Sequence, residues 1–162
     1  MVTAAGKSYL QRMKRVLFLI ALILAPMGGT AVAADSLDLL INEKRPILLF
    51  AKSRSFAGLD KQVDLLRSYR PDLEERDIVV LSTVGRQETV AAVGYVPLNR
   101  GTARQLMRRF KPDLKGLTVV LVGKDGTEKG RWNKAVDPQV IFDLIDSMPM
   151  RQQEMRSPIE TQ

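Results

Sequence analysis

The sequence predicts an α/β fold: a four-stranded mixed sheet, in chain order β-α-β-α-β-β-α, with helices on both faces. Three observations carry that prediction. Apolar runs at Ile47-Leu48-Leu49-Phe50-Ala51, Ile78-Val79-Val80-Leu81 and Leu117-Thr118-Val119-Val120-Leu121-Val122 lack alternation and suit strands buried on both faces. An amphipathic helical stripe lies between the first two runs, which implies a parallel pair joined by a right-handed crossover. An Asp125-Gly126 turn follows the third run and sends the chain back antiparallel.

The elements follow in order. Leu37, Leu39, Leu40 and Ile41 stand behind Asp35 and Ser36, both good caps, and read as a helical turn at the domain edge. The first strand starts after Arg45-Pro46. Ser53 and Ser55 then offer N-caps to a helix whose stripe is Phe56, Leu59, Val63 and Leu66, stopped by Pro71. The second strand covers 77–84. Residues 85–101 contain Gly85, Gly94, Pro97 and Gly101, and no regular structure is expected there. Thr102 is placed to cap a helix over 102–110, with Ala103, Leu106, Met107 and Phe110 on one side; Pro112 and Gly116 end it. The fourth strand, 129–133, is polar and holds Trp132, as an edge strand would. Asp137-Pro138 signals a helix start, Val140, Ile141, Leu144, Ile145 and Met148 mark one face, and Pro149 stops it. Residues 150–162 read as a polar, frayed end.

Composition bounds the class. Of 162 residues, 45% are hydrophobic and 27% charged, ordinary usage for a globular domain. The chain has no cysteine and no histidine. That excludes disulfide staples, thiol redox chemistry, a Cys nucleophile, lipoprotein acylation, haem attachment through CxxCH, Cys/His zinc sites and His-based triads. Residues 1–33 hold Lys7, Arg12, Lys14 and Arg15 and no acid. Val16 to Ala25 is apolar and ends at Pro26, and Ala31-Val32-Ala33 supplies a small-x-small site. This is the pattern of a secretory signal peptide over 1–33, cut after Ala33 or Ala34, with an apolar core too short for the roughly 20 residues of a membrane span. The expected product is a periplasmic or secreted domain over 34–155 with a polar tail over 156–162. From Ala34 onward the net charge is +3, from 21 Lys and Arg against 18 Asp and Glu, too mild to imply nucleic-acid binding.

Two parallel strands plus an antiparallel hairpin, with helices on both faces, is the minimal thioredoxin arrangement; a flavodoxin-like sheet needs more strand–helix units. The pieces Leu48-Leu49-Phe50-Ala51, Arg76-Asp77-Ile78-Val79-Val80, Leu121 through Gly126, and Asp137-Pro138 leading to Ile145-Asp146-Ser147-Met148-Pro149-Met150-Arg151 resemble a family of short secreted bacterial proteins. That family carries a thioredoxin-like domain of unknown function, related to a domain in animal secreted and matrix proteins with sushi repeats. The resemblance covers roughly 37–155. It implies a fold and an exported location, and no reaction.

In a redox-active member of this fold, a CxxC sits where the first strand runs into its helix. Here Lys52-Ser53-Arg54-Ser55 stands there, without sulfur, and Gly116-Leu117-Thr118 occupies the place of the proline before the third strand. Disulfide exchange needs a thiolate, so oxidoreductase and peroxidase activity of that kind is ruled out. The remaining polar loop over a helix N-terminus favours anions, and Lys52, Ser53, Arg54, Ser55 and Thr118 are the candidate binding residues. A bland reading competes: a serine caps the helix and the cations are solvated. Gly123-Lys124-Asp125-Gly126 lacks the spacing of a phosphate loop and reads as a hairpin turn. Arg108-Arg109-Phe110-Lys111 suits a solvated helix end. Asp137 with Asp143 or Asp146 raises paired-carboxylate chemistry, although Asp137 is already explained as a cap. The expected function is a non-redox binding module of the cell envelope, for an envelope protein or small anionic ligand, with no cofactor, metal or nucleic acid and no stable membrane insertion. The alternative is a hydrolase-type enzyme built from carboxylates and Arg/Lys.

Overall fold

The computed structural model describes residues 37–157, apart from 87, 95, 97, 99 and 100. Residues 1–36, with the expected signal segment, Asp35 and Ser36, together with Pro97 and the end of the polar tail, lie outside the described residues. A short 3-10 turn, Asp38–Leu40, leads into β1 (Arg45–Ala51), α1 (Ala57–Ser68), α2 (Arg70–Glu75), β2 (Ile78–Val84) and β3 (Glu88–Val93). Then follow α3 (Thr102–Phe110), β4 (Thr118–Val122), β5 (Glu128–Trp132), α4 (Pro138–Asp146) and α5 (Pro149–Arg156).

The five strands form one sheet in the order β3-β2-β1-β4-β5. β1 runs parallel to β2, with Arg45 opposite Ile78 and Ala51 opposite Val84, and antiparallel to β4, with Phe50 opposite Thr118. Every residue of β1 is buried, as a central strand covered on both faces requires. Alternation assigns Ile47, Leu49, Val80, Val119 and Leu121 to the face under α1, α2 and α4. Leu48, Phe50, Val79, Leu81, Val120 and Val122 face α3 and the 3-10 turn. Each face has its own packed cluster, so the sheet is the shared wall of two small cores.

The structure corrects the expected sheet from four strands to five. β3 lies in the segment expected to be irregular, and pairs antiparallel with β2 through Val84–Glu88 and Ser82–Val90. Gly85 at φ +55 makes the turn, and Gly94 at φ +78 ends the strand. β3 forms because β2 would otherwise leave a seven-residue hydrogen-bonding edge open. Pro71 does more than end a helix: it sits in the first turn of α2. Thr102 is inside α3 and buried, with Gly101 as the N-cap residue. Pro149 likewise opens α5, so 149–156 is a docked helix and not a frayed end. Asp137 caps α4 as expected, accepting from Gln139 N at 2.9 Å, and the Asp125-Gly126 turn joins β4 to β5 with Gly126 at φ +74.

Candidate functional site

The loop after β1 leaves a buried Ala51 and runs exposed from Lys52 to Phe56. Gly85 N donates to Ala51 O at 2.9 Å and ties the loop to the β2–β3 turn. Lys52, Ser53, Arg54 and Ser55 are therefore brought together at the carboxyl ends of β1 and β2. Neither serine caps α1. The N-cap residue is Phe56, and Ser55 Oγ instead hydrogen-bonds Ser53 Oγ at 3.5 Å. The helix starts too late: a cap oxygen reaches the N–H two or three residues on from the cap itself, a position Phe56 occupies. Arg54 pairs with Glu88 of β3, its Nε donating to Oε2 at 3.1 Å and its Nη2 to Oε1. Thr118 does not join them. It is fully buried, and its Oγ1 donates to the Asp113 carbonyl at 2.8 Å, closing the turn before β4.

Because β3 extends the sheet beyond α1, a groove of about 300 Å³ opens between them. Leu59, Val63, Val84 and Val90 give it apolar walls, while Arg54, Arg67, Asp60, Asp64 and Glu88 supply its charged lining. Both arginines bridge toward β3: Arg54 to Glu88, and Arg67 Nε to the Ala92 carbonyl at 3.3 Å. Val90 is 38% exposed on this edge strand. The groove depends on β3, so no pattern of the sequence signals it.

At the opposite end of the sheet a charge network docks α5. Arg45 is only 1% exposed; its guanidinium donates to Glu154 at 2.9 and 3.1 Å and to the Arg76 carbonyl at 3.0 Å. Lys124 Nζ donates to Glu154 at 2.8 Å and to Asp77 at 2.9 Å, and Lys44 to Asp77 at 3.1 Å. Arg76 reaches Asp146 at 2.7 Å and lies 4.8 Å from the Phe142 ring centroid. Arg151, buried, bonds Glu75 and Asp146. Burial pulls the carboxyl groups of Asp77, Asp146 and Glu154 up. Hydrogen bonds and charge from Lys124 and Lys44, from Arg76 and Arg151, and from Arg45 and Lys124, respectively, more than offset it, so all three sit below the ordinary carboxylate range.

This network neutralises its own charges, and Asp143 accepts from Gln139 Nε2 at 2.8 Å. Asp137 and Asp143 both accept from Gln139, through its backbone N–H and its Nε2, while Asp146 is held by Arg76 and Arg151. Among the described residues no cluster of three His, Cys, Asp or Glu side chains is placed to hold a metal ion, and no helix is long and apolar enough to cross a membrane. The network was foreshadowed in sequence only by Pro149 at a helix start and the Arg151/Glu154 spacing of one helical turn.

The arrangement of sheet and helices is thioredoxin-like. The chain resembles the reduced 2-Cys peroxiredoxin of Plasmodium vivax with a TM-score of 0.53 and 12% identity, covering 72% of this chain and 83% of that one. The mitochondrial 2-Cys peroxiredoxin of Plasmodium falciparum gives 0.51 and 12%, over 74% and 84%. Identities this low establish the fold alone. Over residues 36–154 the chain matches, and belongs to, the family described as Domain of unknown function (DUF4174). It is 29% identical over 128 residues to the human (Homo sapiens) Sushi repeat-containing protein SRPX, covering 78% of this chain and 28% of that protein. With human SRPX2 it shares 23% over 124 residues, or 76% and 27%. The chain thus spans little more than a quarter of these curated relatives. Arg76, Asp77, Lys124, Asp146 and Arg151 all belong to the sequence pieces that carry the family resemblance, and all meet in the network that holds α5.

Proposed function

We propose that this domain is a non-redox peptide-binding module acting outside the cytoplasm. The observation that carries the reading is the groove beside β3: an apolar slot next to the sheet edge left open among the described residues, with Arg54, Arg67, Asp60, Asp64 and Glu88 as its charged lining. An extended peptide adding to such an edge gains main-chain hydrogen bonds, and alternate side chains give selectivity through the slot. The absence of cysteine from the chain removes thiol chemistry at the loop, and leaves the scaffold's ligand-facing end available for binding. The export reading rests on the basic, short-apolar, small-x-small pattern of residues 1–33.

Selection of a displayed random-peptide library on the purified domain tests this. Enriched peptides should carry an apolar residue flanked by charged or polar ones, and should bind with micromolar affinity. Val90→Lys should weaken them at least about tenfold, the scale of one apolar side chain shut out of its slot. Lys52→Glu with Arg54→Glu should reduce both affinity and salt sensitivity with little change in unfolding midpoint, since both side chains are exposed and screened by water. No enrichment, together with saturable turnover on a hydrolase substrate panel, would replace this reading with the enzymatic one.

A further inference from the structure

α3 carries a charge pattern that the groove does not use. Residues 89–112 include Arg100, Arg104, Arg108, Arg109 and Lys111 and not one Asp or Glu. Ala103, Leu106 and Phe110 turn inward against the sheet. Arg104, Arg108 and Lys111 recur at i, i+4 and i+7 on the outward side, and all three are exposed. Their side chains make no ion pair or hydrogen bond among the described residues.

The neighbouring acids are occupied. Asp38 lies 3.4 Å from Arg109, whose other nitrogen donates to the Gly126 carbonyl at 2.8 Å. Glu128 is held by Arg131, which also donates to the Phe110 carbonyl at 2.8 Å. Asp113 accepts from Lys115 N at 3.0 Å. Elsewhere on the domain cations are commonly matched, as in Arg70–Glu74 and Lys129–Asp125. Next to Asp38, Leu39 projects with 52% of its surface exposed.

We propose that this face of the domain rests on an anionic phospholipid surface, with Arg104, Arg108 and Lys111 at the headgroups and Leu39 entering the interface. A row of unmatched cations about 10 Å long beside an exposed aliphatic side chain is the pattern of interfacial attachment. A nucleic acid fits less well: no aromatic side chain lies on the outward stripe to stack a base, and Leu39 has no task there. The attachment is peripheral and reversible, through headgroups and one side chain; no helix among the described residues is long and apolar enough to cross a membrane.

The test is co-sedimentation of the exported protein, its amino terminus fixed by intact mass, with vesicles. One set is half phosphatidylglycerol and half phosphatidylcholine; the other is phosphatidylcholine alone. Binding is expected to the first set only, and to fade as salt rises toward about 1 M, where the screening length shrinks to about 3 Å. R104E/R108E/K111E should weaken it by about a hundredfold or more, at about fivefold for each lost cation. Leu39→Ser should weaken it by about tenfold, as expected for an aliphatic side chain withdrawn from the interface. The control K61E/R86E/R156E makes the same charge change at exposed cations away from α3 and should stay within a few-fold of wild type. Circular dichroism of every variant establishes that folding is retained. Failure to bind anionic vesicles overturns the proposal, as does equal loss in the control. Tighter binding to DNA than to vesicles, untouched by Leu39→Ser, assigns the stripe to a soluble polyanion instead.

Discussion

Glu154→Gln isolates the contribution of the charge network to stability. The substitution keeps the side chain's shape and removes the charge that Arg45 and Lys124 face. Breaking a fully buried pair costs about 3–5 kcal/mol, because a charge is left without its counter-ion. Two features reduce that figure here. Glu154 is 27% exposed, and Arg45 keeps its hydrogen bond to the Arg76 carbonyl while Lys124 keeps Asp77. The expected loss is about 2–3 kcal/mol by urea denaturation, or about 8–12 °C in Tm for a domain of this size. Arg45→Met should cost less, since Glu154 retains Lys124, and the double variant should recover at least about 1 kcal/mol of the summed losses. An E154Q variant within about 0.5 kcal/mol of wild type would show that the interior tolerates the unpaired guanidinium, and the reasoning would fail.

Four further outcomes are expected. Asp77, Asp146 and Glu154 titrate below their unfolded values, so their stabilising contribution is complete above the ordinary carboxylate range and lost as pH falls through the folded values; urea midpoints should hold between about pH 7 and 5 and drop below about 4, and a rise on acidification would contradict this. Gln62→Leu removes the amide that donates to the Val136 carbonyl at 3.0 Å and accepts from its N–H at 2.8 Å, costing about 2–4 kcal/mol through two orphaned backbone groups in calorimetry. With no cysteine in the chain, insulin-reduction and peroxide-reduction rates should equal buffer. Intact mass of the exported protein should lack residues 1–33 or 1–34; a full-length product in the membrane fraction would refute the export reading.

The sequence makes the central strands legible because unbroken apolar runs leave a strand only one kind of place, a sheet covered on both sides. The Asp125-Gly126 turn and the Asp137-Pro138 start are equally readable, since both are local backbone chemistry. β3 is not. Thr89-Val90-Ala91-Ala92-Val93 has two alanines of poor strand propensity, and it pairs only because β2 offers an open edge. α5 hides for another reason: its inward side chains, Arg151 and Glu154, are charged, so a search for apolar periodicity passes over it. The loop residues Lys52 to Ser55 stand together as read, but the groove beside them appears only once β3 is in place. Thr118 shows the converse, a polar residue consumed by the turn it closes.

Arg45 opens the first strand of the sheet, and its carboxylate partner stands 109 residues later. Leu48 likewise waits for Val120 before its second edge is covered. During synthesis, then, the central strand emerges long before the groups that complete it. Such long-range closure slows folding, since loop entropy is lost before contacts repay it. Until Glu154 has been released, the Arg45 guanidinium lacks the carboxylate it is buried against in the finished domain. The feature that locks the finished domain is, on the ribosome, the one that postpones it.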